Sequence, residues 1–293
     1  MKIAGVEISK PDKVLFPDDG ITKADLAEYY AAVADRMLPY LDDRPVNMQR
    51  FPDGIGKSSF YEKKVPSHFP DWVRTVEVGT ADGAQHQVVV DDARSLVYLA
   101  QQACITPHTW LSRAEHLDRP DQLVFDLDPS APDAQSDLAK VRRATRLVGE
   151  ALDDLGLTTY LKTTGSRGYH VVVPLRPEEG FDEVRDFARA VAERLVEREP
   201  DLLTLEARKA NRGDRVLVDI MRNGYGQTAV PPYVVRARPG APVSAPIAWD
   251  ELSRVAPAQV TVANLSRRTA AKDDPWSGMR RHASGLGRAR RRL

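Results

Sequence analysis

An apolar strand that breaks twice into aspartate restricts this chain more than any other segment: Leu123-Val-Phe-Asp126-Leu-Asp128-Pro129. In an extended strand, residues two apart share a face. Asp126 and Asp128 therefore project together, while Phe125 and Leu127 point the other way, into a core. Two carboxylates held side by side repel, and each raises the other's proton affinity unless a cation sits between them. Mg²⁺ or Mn²⁺ suits such a pair, because these hard ions take one or two carboxylates and complete their shells with water and substrate phosphates. Alone, the pattern also describes two acids at a solvated strand end. A second apolar strand, Val216-Leu-Val-Asp219-Ile220, is interrupted in the same way. If it lies beside the first, three carboxylates converge, as two-metal phosphoryl transfer requires.

The segment Thr163-Thr164-Gly165-Ser166-Arg167-Gly168-Tyr169-His170 lies between two more β-branched runs. Its glycines allow a tight turn and bring backbone N–H groups close to a ligand. Thr164 and Ser166 add hydroxyls, Arg167 adds charge, and His170 opens the following strand. The segment reads either as an ordinary hairpin with a satisfied histidine or as a triphosphate-binding loop. Arg236 and Arg238, two apart in Tyr233-Val-Val-Arg-Ala-Arg, share one face if that run is a strand. They call for an anionic partner, either a ligand or surface acids.

Strands are expected over residues 87–90, 123–128, 159–163, 170–174, 216–220 and 233–238. Three helices are expected. The first is opened by the Thr22/Asp25 capping box, with a stripe Leu26, Tyr29, Tyr30, Val33 and Met37. The second is capped by Ser136, buries Leu138, Val141, Thr145, Val148, Leu152 and Leu155, and stops at Gly156. The third runs over about residues 182–198. The alternation predicts an α/β (α+β) fold, with 159–163 and 170–174 paired as a hairpin in a mixed, partly antiparallel sheet flanked by helices.

The single cysteine, Cys104, rules out an internal disulfide and a cysteine-rich zinc site. No run approaches the roughly 20 apolar residues of a membrane helix, and the start lacks a signal-like apolar stretch, so a cytoplasmic location is expected. Forty-two basic residues balance 42 acidic ones, but not evenly. Ser266 to Leu293 holds nine Lys/Arg against two Asp, leaving the remainder acidic. That stretch reads as a flexible basic tail, 266–293, behind a catalytic domain, 1–265. It is either a solubilising extension or a tether for phosphate backbones.

Together these segments resemble the archaeo-eukaryotic primase superfamily, specifically the polymerase domain of bacterial ligase D. VFDLDP is similar to its first metal motif, TGSRGYH to its S-G-x-x-G-x-H motif, and VLVD to the strand with the third metal carboxylate. ITPHTW and RNGYGQTAVPPYVVRARPGAPVSAP extend the likeness, which runs from about Lys10 to Leu252. It implies a two-lobed primase-polymerase core in which Asp126, Asp128 and Asp219 are catalytic and hold two Mn²⁺ or Mg²⁺ ions. Thr164, Ser166, Arg167, His170 and Arg236 would surround the incoming nucleotide, helped by Arg212 and His108. Thr164 stands where the family usually has serine. The resemblance further implies that Lys13 and Lys23 bind a downstream 5′-phosphate at a DNA gap; Lys23 begins a capped helix, where free N–H groups favour phosphate. Phe60 and Tyr61 would stack on template bases.

The implied activity is template-directed nucleotidyl transfer that fills short gaps or extends ends in DNA repair. Nucleoside triphosphates, often ribonucleotides in this family, would be the substrates, and a separate ligase would seal in trans. Three rivals are a primer-synthesising primase, a nuclease built on the same acids, and a non-catalytic DNA-end binding module that recruits a ligase.

Overall fold

Thr22 and Asp25 close a reciprocal capping box: Thr22 Oγ1 accepts from the Asp25 N–H (3.2 Å) and Asp25 Oδ2 from the Thr22 N–H (2.7 Å). Helix α1 (Lys23–Leu41) starts there. It buries Leu26, Tyr29, Tyr30, Val33 and Met37, the face the apolar spacing predicts. The computed structural model describes residues 1–80, 83–130 and 137–293. Two small antiparallel pairs precede or abut α1, β1 (Lys2–Ile3) with β2 (Val6–Glu7) and β3 (Val14–Phe16) with β4 (Ile21–Thr22).

Among the described residues the other strands form two six-stranded sheets. The first contains β5 (Pro45–Arg50), β6 (Phe60–Glu62), β7 (Thr75–Thr80), β8 (Gly83–Val89), β9 (Cys104–Trp110) and β15 (Thr228–Ala229). Its order is β15-β9-β5-β8-β7, with β6 also paired to β5. Helix α2 (Ala93–Gln101), capped by Asp92 and Ser95, packs with α1. The second sheet is ordered β13-β14-β10-β12-β11-β16. Its members are β10 (Gln122–Asp128), β11 (Tyr160–Thr163), β12 (Tyr169–Pro174), β13 (Leu203–Thr204), β14 (Val216–Asp219) and β16 (Pro246–Ile247). Only β13 and β14 pair in parallel, so this sheet is mixed, with the expected β11–β12 hairpin.

Helices α3 (Leu138–Asp154) and α4 (Phe181–Arg198) bury Val141, Val148, Leu152, Val184, Phe187 and Leu195 in the core cluster that also holds Phe125 and Leu127. The opposite sheet face is thereby left to Asp126 and Asp128. Gly156, at φ +79°, ends α3. The cap expected at Ser136 lies outside the described residues; Asp137 occupies the N-cap position. Tyr30 Oη donates to Ile105 O (2.6 Å) and Tyr29 Oη to Tyr233 O (2.7 Å), tying α1 to the first sheet and to the segment that follows β15. No described helix is long and apolar enough to cross a membrane.

Two expectations are corrected. Residues 233–238 are not a strand. Tyr233 sits at φ +67°, and pairing is limited to the isolated bridge Val235–Val243. Pro231, Pro232, Pro239 and Pro242 remove the donors a continuous ladder needs. Nor is the stretch 266–293 a flexible tail. Helix α5 (Val262–Ala271) is followed by Trp276, 2% exposed, whose Nε1–H donates to Leu161 O (2.9 Å). Its ring meets Tyr40 and Tyr160 edge-on, with centroids 5.7 and 6.0 Å away. Leu286, at the N-cap, and Ala289 are then buried at α6 (Gly287–Arg292). One large aromatic and a few small anchors seat this segment, and they leave no apolar period in an arginine-rich sequence.

Gly168, just before β12, is fixed by close approach: a Cβ there would lie 1.9 Å from Leu127 O on β10. Gly168→Ala is expected to push the two strands apart and destabilise the fold by about 3 kcal/mol, the upper end of overpacking costs, read by thermal denaturation. Trp276→Ala should cost about 3–5 kcal/mol and lower Tm by on the order of 10 °C; a melt unchanged from wild type would show that the C-terminal segment contributes nothing to the core.

Candidate functional site

Cross-strand register assembles the acids. On β10, Asp126 stands directly opposite Asp219 of β14 on one side and His170 of β12 on the other. Directly opposed residues project from the same face, and Asp128, two residues along, shares it. The three carboxylates, two on β10 and one on β14, therefore meet on one surface. The loop after β14 is held there by Asn223, whose amide receives the Val124 N–H (2.8 Å) and donates to Val124 O (2.8 Å).

Asp126 and Asp128 are each paired with arginine, whereas Asp219 has, among the described residues, a backbone donor alone. Asp126 Oδ2 is 3.4 Å from His170 Nε2 and 3.4 Å from Arg222 Nη2. Burial alone would raise its pKa, but His170, Arg222 and Lys162 outweigh it and hold Asp126 well below the usual carboxylate range. Asp128 is gripped by Arg167 (2.8 Å) and Arg212 (3.0 Å). Asp219 accepts the Met221 N–H (2.8 Å); burial, with Asp126 and Asp128 adding to it, raises its proton affinity.

Above the acids lies a cavity of about 220 Å³ that also admits Thr164, Ser166, His108, Arg236 and Arg238. Five guanidiniums (Arg167, Arg212, Arg222, Arg236 and Arg238) border it against three carboxylates. Although the whole chain is neutral, the pocket is an anion receptor. Arg236 donates to Thr164 O (2.7 Å), and burial with neighbouring Arg238 lowers its pKa to about 10. His108, from β9 of the first sheet, is driven down to about 3 by burial and by Arg236, Arg222 and Lys162. His170 is lowered to about 4 by burial and Lys162, against the pull of Asp126. Both rings are thus neutral near pH 7 and present N–H groups without adding charge. A roomier cleft, about 1030 Å³, lies by the end of α1 and residues 274–283. There Arg44, Arg113 and Arg280 are already paired with Asp121 and Asp42.

The loop residues divide their labour. Thr164 Oγ1 donates to Gly168 O (2.9 Å) and receives the N–H groups of Ser166 (3.2 Å) and Gly168 (3.3 Å), so its hydroxyl shapes the turn. Gly165, at φ +62°, faces Arg236 so closely that a Cβ would lie 2.7 Å from that side chain. Tyr61, half exposed on β6, meets the His108 ring edge-on at 5.4 Å, beside the pocket mouth. Phe60 lies under Arg50, whose guanidinium is 5.5 Å from the ring centroid. Lys13 and Lys23 stand outside the pocket and close to each other, with Lys23 N–H donating to Lys13 O (2.8 Å). Lys13 pairs with Asp53 (2.7 Å), and buried Lys23 donates to Ser9 O (2.7 Å).

Sequence reasoning missed Arg222, Asn223 and Lys162. Arg222 and Asn223 follow Asp219 in a 3₁₀ turn (Met221–Asn223), where no periodicity announces a face. Lys162 was accessible from alternation, since it lies two residues before Thr164. As arranged, no three acidic, histidine or cysteine side chains among the described residues stand close enough to hold a metal ion; Asp128 is turned onto its two arginines. The donor set nevertheless fits a hard divalent ion: three carboxylate groups on adjacent strands, on one face, with a cationic pocket for phosphates beyond them.

The sequence matches the family described as "LigD, primase-polymerase domain" over residues 22–276. It is 37% identical over 277 residues to the multifunctional non-homologous end joining protein LigD of Pseudomonas aeruginosa, covering 94% of this chain and 33% of that protein. It is 30% identical over 273 residues to the bifunctional non-homologous end joining protein LigD of Bacillus subtilis, covering 92% and 43%. The chain thus spans about a third of the length of the first relative. The structure superposes on the polymerase domain of Mycobacterium tuberculosis ligase D in complex with DNA with a TM-score of 0.87 and 32% identity, covering 95% of this chain and 99% of that one. The chain belongs to the LigD primase-polymerase domain family, a family of DNA-directed nucleotidyltransferases.

Proposed function

We propose that this chain adds one or a few nucleotides to a primer 3′-hydroxyl at a short gap or bridged break in DNA, serving end joining or excision repair. The observation that carries this reading is the convergence of Asp126, Asp128 and Asp219 beneath a pocket with two more guanidiniums than carboxylates. A nuclease built on the same acids also binds phosphates but needs no triphosphate site, so the Thr164–Gly168 turn and Arg236 at the pocket would go unused. A non-catalytic end binder would have no reason to oppose Asp126 to Asp219.

Asp126, Asp128 and Asp219 would hold two divalent ions, Mg²⁺ or Mn²⁺, which when bound supply electrostatic stabilisation to the attacking and leaving oxygens. The chain's own groups do the positioning. Arg167, Arg212 and Arg236 receive the triphosphate, with His170, Ser166 and His108 as neutral donors. Arg167 and Arg212 exchange their present partner, Asp128, for phosphate oxygens, and that exchange frees Asp128 to take a cation. Asp219, beside the exposed Met221, faces the primer hydroxyl. The new bond joins the 3′-oxygen to the α-phosphorus, the α–β phosphoanhydride bond breaks, and pyrophosphate leaves. Phe60 and Tyr61 would stack on the template, and Lys13 and Lys23 would hold the downstream 5′-phosphate once Lys13 gives up Asp53. Nicks left after filling would be sealed by a separate ligase. Ribonucleotides would be accepted, as is common for this type of polymerase.

Primer extension on a gapped duplex with a 5′-phosphate tests the reading. Asp126→Ala is expected to lose at least about a hundredfold in rate, with Mg²⁺ and with Mn²⁺, while still binding nucleotide through the arginines. Extension that survives the substitution would remove the metal-site assignment. Lys13→Ala and Lys23→Ala should weaken use of the phosphorylated gap by roughly tenfold, the value of one or two charge-assisted contacts, and leave the unphosphorylated gap unaffected. Equal losses on both substrates would reject the 5′-phosphate site.

A further inference from the structure

The row of opposed residues does not stop at His170. Lys162 on β11 stands directly opposite His170, as His170 stands opposite Asp126 and Asp126 opposite Asp219. Lys162 is 2% exposed, and its Nζ donates to Ser244 Oγ (2.9 Å). Burial pushes the Lys162 pKa well down, and even a neutral amine carries two N–H donors, so one hydroxyl does not satisfy it. His170 shows the matching deficit. Its Nε2 faces Asp126 Oδ2, while its buried Nδ1 has no protein hydrogen-bond partner among the described residues. Both side chains border a small cavity of about 10 Å³, with Thr109, Gln122 and Tyr40 also on its walls and Trp276 closing it. A void of that size admits one water, and polar walls decide whether a water stays.

We propose that one water is bound in this cavity, accepting from Lys162 Nζ and donating to His170 Nδ1, and that Lys162 is thereby a positioning residue for His170. When Nδ1 accepts, the ring proton of the neutral imidazole is on Nε2, where it donates to Asp126. The same two contacts hold the ring plane from both ends, so His170 meets an incoming nucleotide in one tautomer and one orientation. Ser244 holds the Lys162 amino group, and Trp276 lines both this cavity and the cleft beside α1. Lys162 and the water need not touch the nucleotide; they act through His170. What His170 then does for substrate rests on the proposed function, whereas the water and the tautomer do not.

The test is ¹⁵N-histidine labelling of the full chain and long-range ¹H–¹⁵N correlation near neutral pH. The six histidines are few enough for His170 to be assigned by its loss in His170→Asn. Wild type should show His170 as the Nε2–H tautomer. Lys162→Met keeps the aliphatic stem and removes the donors; in it the His170 signals should move to a mixture with the Nδ1–H form. Ser244→Ala, which leaves the Lys162 amino group but removes its anchor, should give a smaller shift in the same direction and keeps the test decisive if Lys162→Met does not fold. In gap filling, Lys162→Met should raise KM for the nucleotide roughly fivefold, the worth of about one hydrogen bond, with a smaller change in kcat. A wild-type His170 in the Nδ1–H form, or a tautomer unmoved by both substitutions, would overturn the proposal. Absence of gap filling in wild type would instead reject the proposed function and leave the spectroscopic result standing.

Discussion

Two carboxylates placed face to face on neighbouring strands are the constraint around which the rest of this molecule is arranged. Asp126 and Asp219 project from the same face of a sheet whose other face is core. An unpaired buried charge costs several kcal/mol, so each acid must find a cation or a donor. The chain meets this demand from every side: His170 and Lys162 from the adjoining strands, Arg222 from the turn after β14, Arg167 and Arg212 on Asp128, and the Met221 N–H on Asp219. Much of the irregular backbone near the site exists to deliver one of these groups.

Holding so many charges in place requires stiff supports. The β12 strand can approach β10 closely because Gly168 has no side chain, and that approach sets the His170–Asp126 distance. Asn223 clamps the β14 turn to Val124, so Arg222 is carried on a fixed arm. The first sheet contributes His108 to the pocket, and Tyr29 and Tyr30 reach out from α1 to lock that sheet against the segment preceding Arg236. Trp276 reaches back from the C-terminal segment to cap the apolar side of the same sheet face, packing beside Val124 and Val172. The basic segment 266–293, expected as a flexible extension or a tether for phosphate backbones, thus contributes Trp276 and Met279 to the packing behind the site.

Where local chemistry and tertiary structure agree, the sequence was legible. The capping box at Thr22, the stripe of α1, the apolar halves of β10 and β14 and the glycine turn each follow from short-range rules; that Asp219 joins Asp126 and Asp128 was conditional on the two strands being neighbours, which only the sheet register supplies. Most of the first sheet was not legible. Cys104–Trp110 is buried at every position and shows no alternation, and Pro45–Arg50 carries a proline and polar residues within its six positions. Residues 233–238 misled because β-branched composition suits a strand, while the prolines around them withhold the ladder. Lys162 was overlooked because a lysine in a β-branched run reads as an edge, although alternation puts it on the face of Thr164 and the β11–β12 register sets it opposite His170.

A chain of zero net charge also misdirects if charge is taken as an average. What a polyanionic substrate experiences is the local balance, and at the mouth of this pocket guanidiniums exceed carboxylates by two. That surplus is not idle in the absence of substrate, because Asp128 holds two of the arginines and they hold it. The pairing has a thermodynamic consequence under the proposed function. A triphosphate competes with Asp128 for Arg167 and Arg212, and a divalent cation competes with those arginines for Asp128. Each ligand releases the group the other needs, so the two must strengthen each other's binding by the same factor. A cation alone meets arginines where it needs a free carboxylate, and a nucleotide alone must leave Asp128 without a partner. The site is therefore poised to fill with both together, which confines the fully charged arrangement to the moment when chemistry can follow.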